Sequence, residues 1–302
     1  LIDVRPEVAE ALDLGAAVVA LESTVIAHGL PSPQNLEAAQ RMTAAVREEG
    51  AVPATVAVLR GSVVVGASAE EVALLAKGAD VAKATTRDLA ALTASGSAGA
   101  TTVAATAFAA GRAGVAVMAT GGIGGVHRGG ERSMDISADL AEVGRTPVAV
   151  VCSGAKAVLD LSLTLEALES LGVPVVGYGT GSFPAFYTRS SGLGLEHRVD
   201  SPEAAARLMA QQRRLGLPGG ILFCNPPPAE AAPRAAEVES LVTAAVRAAE
   251  ERGIRGKDVT PFLLDYVAAE SGGRTLAVNL ALLEDNARVA ARIAVAYASL
   301  KD

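Results

Sequence analysis

Six short apolar runs punctuate the chain, at positions 16–21, 54–59, 115–119, 148–152, 173–177 and 220–223. They are Val- and Ala-rich with little polar alternation, the pattern of strands buried on both faces. Helix-length segments separate most of them and predict helices over 34–49, 69–77, 100–110, 157–171, 202–215, 229–252 and 275–298. Strands alternating with helices predict an α/β fold, with a central, largely parallel sheet. The last two helices are long and Ala-rich, and suit either a sheet face or a subunit interface. Pro226-Pro227-Pro228 is the best candidate boundary, but the chain beyond it reads as mostly helical. The whole chain, 1–302, is therefore expected to form a single domain.

Composition narrows the function. Half of the 302 residues are hydrophobic but only 3% are aromatic, without Trp, so Ala, Val and Leu must fill the core and base-stacking platforms are scarce. A net charge of −7 and a pI near 5.2 argue against nonspecific binding to nucleic acid or anionic membrane. Cys152 and Cys224 each end an apolar run and read as free, buried thiols. No stretch is long and apolar enough to span a bilayer, and the first residues lack a basic segment followed by an apolar one. The expectation is a soluble, cytoplasmic protein.

The chain has only five lysines against 21 arginines. Lys156 follows the run 148–152 and Ser153-Gly154-Ala155, where a strand end is expected to open directly into a helix. Lys83 follows a second apolar run. Lysines held at a partly dry sheet edge suit carbonyl or imine chemistry, although many lysines at strand ends only snorkel or pair with an acid. Glu22 closes the first apolar run and is a candidate acid or base, with burial raising its pKa and any nearby lysine lowering it. Ser23 and His28 invite a hydrolase reading, but no Gly-x-Ser-x-Gly elbow surrounds a serine.

The densest cluster is the segment 120–139, with six glycines after a predicted strand. Glycines there let backbone N–H groups approach an anion, and Ser137 with Asp139 suits the start of a following helix. The spacing is not that of a dinucleotide fingerprint. Asp135 and Asp139, four apart, would share one face of a helix, and fit either a hard divalent ion completed by water or simple capping. His127 sits in this loop and suits a ligand contact. No Cys/His spacing supports zinc.

Several longer blocks resemble one family: the segment 22–31 (ESTVIAHGLP), 50–55, 83–88 (KATTRD), 119–139, Cys152-Ser153-Gly154-Ala155-Lys156 and 256–263 (GKDVTPFL). Together they are similar to pseudouridine-5′-phosphate glycosidases over nearly the whole chain. The resemblance implies an α/β/α sandwich, a homotrimer and one Mn²⁺ per subunit. It implies reversible cleavage of pseudouridine 5′-phosphate to uracil and ribose 5-phosphate through a lysine adduct at ribose C1′. It also implies Lys156 as the nucleophile, Glu22 as the proton donor and Asp135 as the manganese ligand. Lys83, Val103, Ser137, Ala138 and Asp139 would contact substrate, with Thr120, His127 and Asn279 in or near the pocket. Two other readings stand beside it: a Schiff-base aldolase acting on a sugar phosphate, and a sensor that binds such a molecule without chemistry.

Overall fold

The computed structural model describes residues 1–78, 80–254 and 259–300. Gly256, Lys257 and Asp258 of the block 256–263 lie outside the described residues. All six predicted strands are present and lie in one 11-stranded sheet. Its main path runs Ile2–Val4, Ser62–Val65, Val52–Leu59, Val18–Leu21, Val117–Ala119, Ala149–Cys152, Leu222–Cys224, Val175–Tyr178 and His197–Val199. From Val52–Leu59 to the His197–Val199 edge every pairing is parallel. Within this sheet antiparallel pairing is confined to the long strand Val52–Leu59, whose Ala57 and Val58 pair both with Ser62–Val65 and with Gly99–Thr101, with Ala82–Ala84 beyond.

The centre of the sheet is dry because its strands carry no polar face: Val18–Leu21 and Ala149–Cys152 are buried at every position. Helices cover both faces. Arg274–Ala298 lies on the three central strands together with Gln34–Glu48 and Pro202–Arg214. Val103–Ala113 packs against Ala138–Val143 and against Val18–Leu21, Val52–Leu59 and Val117–Ala119. The result is the α/β/α sandwich expected. Cys152 and Cys224 are adjacent in register on neighbouring strands, both buried as free thiols. No helix among the described residues is long and apolar enough to cross a membrane.

Caps explain where the expected helices shift. The one expected at 100–110 is Val103–Ala113, because 99–101 joins the sheet and the Thr102 hydroxyl accepts the Ala105 N–H at the new start. The one expected at 157–171 is Leu161–Ser170, started by the Asp160 carboxylate on the Leu163 N–H. The long helix expected at 229–252 begins later, as Ala235–Glu251. Sequence periodicity missed the helices Pro6–Asp13 and Leu89–Ser95, the π-helical turn Val25–Gly29, and several short or peripheral strands.

Candidate active site

Three parallel neighbours, Val18–Leu21, Val117–Ala119 and Ala149–Cys152, end side by side and release Glu22, Thr120 and Ser153 at the same rim. The carboxyl ends of parallel strands are where open α/β sheets bind ligands. Glu22 is 5% exposed, and the Thr120 hydroxyl donates to its Oε1. Burial pushes the Glu22 carboxyl above the usual glutamate range. The positive charge of Lys156, the Thr120 hydrogen bond and Lys83 pull it back, while Asp139 pushes it further up.

Lys156 does not begin a helix. The segment after Cys152 instead zips onto the glycine loop beyond Val117–Ala119. Ser153 N–H donates to Gly121 O at 2.8 Å, Ile123 N–H to Gly154 O at 3.1 Å, and Lys156 N–H to Ile123 O at 3.1 Å. Gly154, at φ +79°, is required here: a Cβ would lie 2.2 Å from the carbonyl oxygen of Pro184. The backbone beneath the lysine is thus fixed by pairing on one side and by close approach on the other.

Glu22, Lys83, Lys156 and Asn279 line one cavity beyond the strand ends, together with Phe186 and Leu264. Lys83 arrives on the strand Ala82–Ala84, in register with Ala100. Asn279 comes from the first turns of Arg274–Ala298, and its Oδ1 is buried without a hydrogen-bond donor among the described residues. One helical stretch further on, Asn286 is fully buried. Its amide donates to Thr120 O at 2.9 Å and to Ser153 Oγ at 3.1 Å, and accepts from Asn225 at 3.0 Å. It ties the helix to the strand ends that carry the site.

His127 and Asp135 line a neighbouring cleft of about 480 Å³. His127 lies on a two-residue strand paired with Leu159–Asp160, and its N–H donates to Asp135 O at 3.0 Å. The ring Nδ1 is 4.0 Å from Asp135 Oδ2. Burial holds the imidazole below the usual histidine range against the opposing pull of Asp135, and Lys83 and Lys156 push the same way as burial.

Asp135 and Asp139 do not share a helix face. The helix is Ala138–Val143, capped by Ser137, so Asp135 precedes it. Asp135 is partly exposed, whereas Asp139 is buried, accepting Ala104 N–H at 2.9 Å and Gly124 N–H at 2.8 Å. Asp139 thereby joins the glycine loop to the first turn of Val103–Ala113, where a carboxylate also suits the helix dipole. Val103 is itself buried at the first position of that helix. Thr120, Val103, Ser137, Ala138 and Asp139 are not among the residues that line the cavity.

No group of three or more His, Cys, Asp or Glu is arranged as a metal cage among the described residues. A wider cleft, about 860 Å³, lies elsewhere, around Arg5, Arg47 and Arg60. Those arginines are already paired, with Glu7 and Glu71, and no candidate nucleophile joins them. Sequence reading missed Phe186 and Leu264. Its only available signal was the aromatic density of Phe183-Pro184-Ala185-Phe186-Tyr187 in a chain with five Phe and four Tyr.

Fold and site together define an α/β protein with a buried carboxylate and two lysines converging beyond the ends of parallel strands. The chain belongs to the family described as indigoidine synthase A like protein, which it matches over residues 7–296. It is similar to curated proteins named pseudouridine-5′-phosphate glycosidase. The Methylobacterium nodulans protein is 54% identical over 296 residues, covering 98% of this chain and 88% of the relative. The Paracoccus denitrificans protein is 53% identical over 301 residues, covering 99% of each. Among solved structures, the prealnumycin C-glycosynthase AlnA in complex with ribulose 5-phosphate superposes with a TM-score of 0.92 at 38% identity, covering 100% of this chain and 98% of that one. An indigoidine synthase A-like protein from Thermotoga maritima gives 0.90 at 37% identity, covering 100% and 97%.

Proposed function

We propose that the protein reversibly cleaves the C1′–C5 bond of pseudouridine 5′-phosphate, giving uracil and ribose 5-phosphate through a covalent Lys156 adduct. The observation that carries this is the convergence of Glu22, Lys83 and Lys156 on one cavity, with Glu22 buried and its carboxyl pushed above the usual glutamate range. The names of the relatives support the same substrate.

A carbon–carbon glycoside offers no leaving oxygen or nitrogen to protonate, so a simple carboxylate pair is inadequate. Glu22, its carboxyl pKa raised by burial, donates to ribose O4′ as the C1′–O4′ bond breaks. Electrons from the uracil ring form a double bond between C5 and C1′, and the base loses its N1 proton. The unprotonated Lys156 amine adds to C1′, returning the electron pair to the ring. Protonation at C5, a role that suits Lys83, lets the C1′–C5 bond break as the lysine nitrogen forms an iminium at C1′, and N1 takes back a proton as neutral uracil leaves. Water hydrolyses the iminium, and ribose 5-phosphate closes its ring. The orphaned Oδ1 of Asn279 suits a ring N–H of the uracil.

The donor set fits one Mn²⁺ held by the partly exposed Asp135 and completed by water rather than a closed cage. When bound, such an ion supplies positive charge for the substrate phosphate. Substrate contacts at Val103 and at Ser137 through Asp139 belong to the same proposal. The Asp139 carboxylate already holds two backbone N–H groups, so its part is to position the glycine loop. A homotrimer and a cytoplasmic setting complete the reading, and light scattering tests the first.

The experiment is incubation with pseudouridine 5′-phosphate and Mn²⁺, following uracil release by chromatography, with Lys156→Ala in parallel. Release by the parent protein and none by the variant is the expected result. Release by both would remove Lys156 from the mechanism, and release by neither would remove the substrate.

A further inference from the structure

Phe186 holds a backbone conformation that bulky residues avoid, with φ at +62°. The other two non-glycine residues at positive φ, Arg60 and Met134, are exposed, whereas Phe186 is 2% exposed. Strain of this kind persists only where the surroundings over-determine it, and it clusters at ligand clamps. Here the clamp is visible. Phe186 N–H donates to Ser153 O at 3.0 Å, and Ala185 N–H to Thr188 O at 3.0 Å. Ala185 also bridges to Gly154, so the loop is locked to the segment that carries Lys156.

The lock aims the ring. Its Cδ2 would lie 2.6 Å from a Cβ at Gly122 and its Cε2 3.4 Å from one at Gly121, so the glycine loop is bare where the phenyl edge rests. Tyr187 fixes the other side edge-on, with ring centroids 4.7 Å apart and planes at 69°. The phenyl group then forms part of the wall of the cavity shared by Glu22, Lys156 and Asn279. Core filling alone would be met by an aliphatic side chain in relaxed backbone, so neither the strain nor the flat ring follows from packing.

Resting on the reaction proposed above, we propose that Phe186 is the base-packing wall of the site: its ring lies against uracil and confines the cavity to a single six-membered heterocycle. A flat apolar wall beside a buried amide acceptor suits a pyrimidine with ring N–H groups and does not suit a polyhydroxylated sugar phosphate. The ribose half is left to the lysines and Glu22.

The test separates the two halves of the substrate. Phe186→Leu and Phe186→Ala are prepared, and thermal melting identifies any variant that fails to fold. Borohydride trapping with ribose 5-phosphate alone reads the lysine adduct, and calorimetric titration with uracil reads the base site directly. The expected result is an adduct yield within about twofold of the parent, with uracil bound about tenfold or more weakly by the alanine variant and less affected in the leucine variant. Unchanged uracil affinity, or no uracil binding by the parent protein, overturns the inference. So does a parallel loss of adduct and uracil binding in the leucine variant, which would make the loop a structural support. If the parent protein traps no adduct and releases no uracil from pseudouridine 5′-phosphate, the reaction is refuted, and the titration still decides the role of Phe186.

Discussion

Glu22 and Lys156 follow strands that do not pair with each other, and the strand between those two ends at Thr120, whose hydroxyl holds the Glu22 carboxyl. The proposed acid and nucleophile are separated by one strand of the sheet, and the pairing of the segment after Cys152 with the glycine loop sets where the lysine backbone lies. Asn286 bonds the backbone of Thr120 and the side chain of Ser153 together, fixing that spacing from above.

The two groups differ in the cost of their removal. Lys156→Ala takes away the covalent route and is expected to leave no measurable uracil release. Glu22→Gln keeps shape and loses the proton, with an expected fall in kcat of ~10² to 10⁴. Equal losses in single-turnover assays would argue against separate acid and nucleophile roles.

Thr120→Val removes a hydrogen bond that favours the ionised Glu22. The Glu22 pKa then rises further, so a larger fraction stays protonated as the pH increases. The alkaline limb of the kcat profile is expected to move to higher pH in the variant. Movement to lower pH would mean that the limb belongs to another group.

Glu22 also links stability to pH. Its carboxyl titrates above the usual range in the folded chain, so between the ordinary glutamate pKa and the raised one the folded state binds more protons than the unfolded state. Stability attributable to this group is complete at low pH and declines as pH rises through the folded pKa, by at most about 1.4 kcal/mol per pH unit. Melting temperature is expected to fall less steeply over that window in Glu22→Gln than in the parent protein. Parallel curves would disprove the linkage.

Asn286→Ala takes the amide donor away from the buried Thr120 carbonyl and from the Ser153 hydroxyl. A cost on the order of 3 kcal/mol is expected from denaturant titration. Activity should fall more than the folded fraction does, because Glu22 and Lys156 lose their common anchor.

Asp135→Asn weakens the single carboxylate offered to a divalent ion. The expected effect is a rise in the Mn²⁺ concentration needed for half-maximal activity, with the borohydride-trapped adduct still on Lys156. An unchanged metal response would remove Asp135 from the ion site.

Much of the sheet was legible because buried parallel strands are continuous apolar runs, as at 148–152, and because Pro202–Arg214 carries its start signal in Ser201 and Pro202. Lys156 was singled out as a scarce lysine after a strand, and it lines the cavity, but the helix expected behind it is delayed to Leu161 by the cap at Asp160. Glu22 was legible as an acid at a strand end. Its tie to Thr120 was not, since the neighbour relation of the two strands is a property of sheet order. Phe186 was invisible for a different reason: left-handed backbone at a non-glycine residue leaves no mark in composition or spacing.

Asn286 reaches Thr120 across 166 residues of chain and Ser153 across 133. A fragment ending before this helix would lack the amide that ties Thr120 to Ser153. The rim that carries Glu22 and Lys156 thus takes its common anchor from a helix far along the chain, Arg274–Ala298.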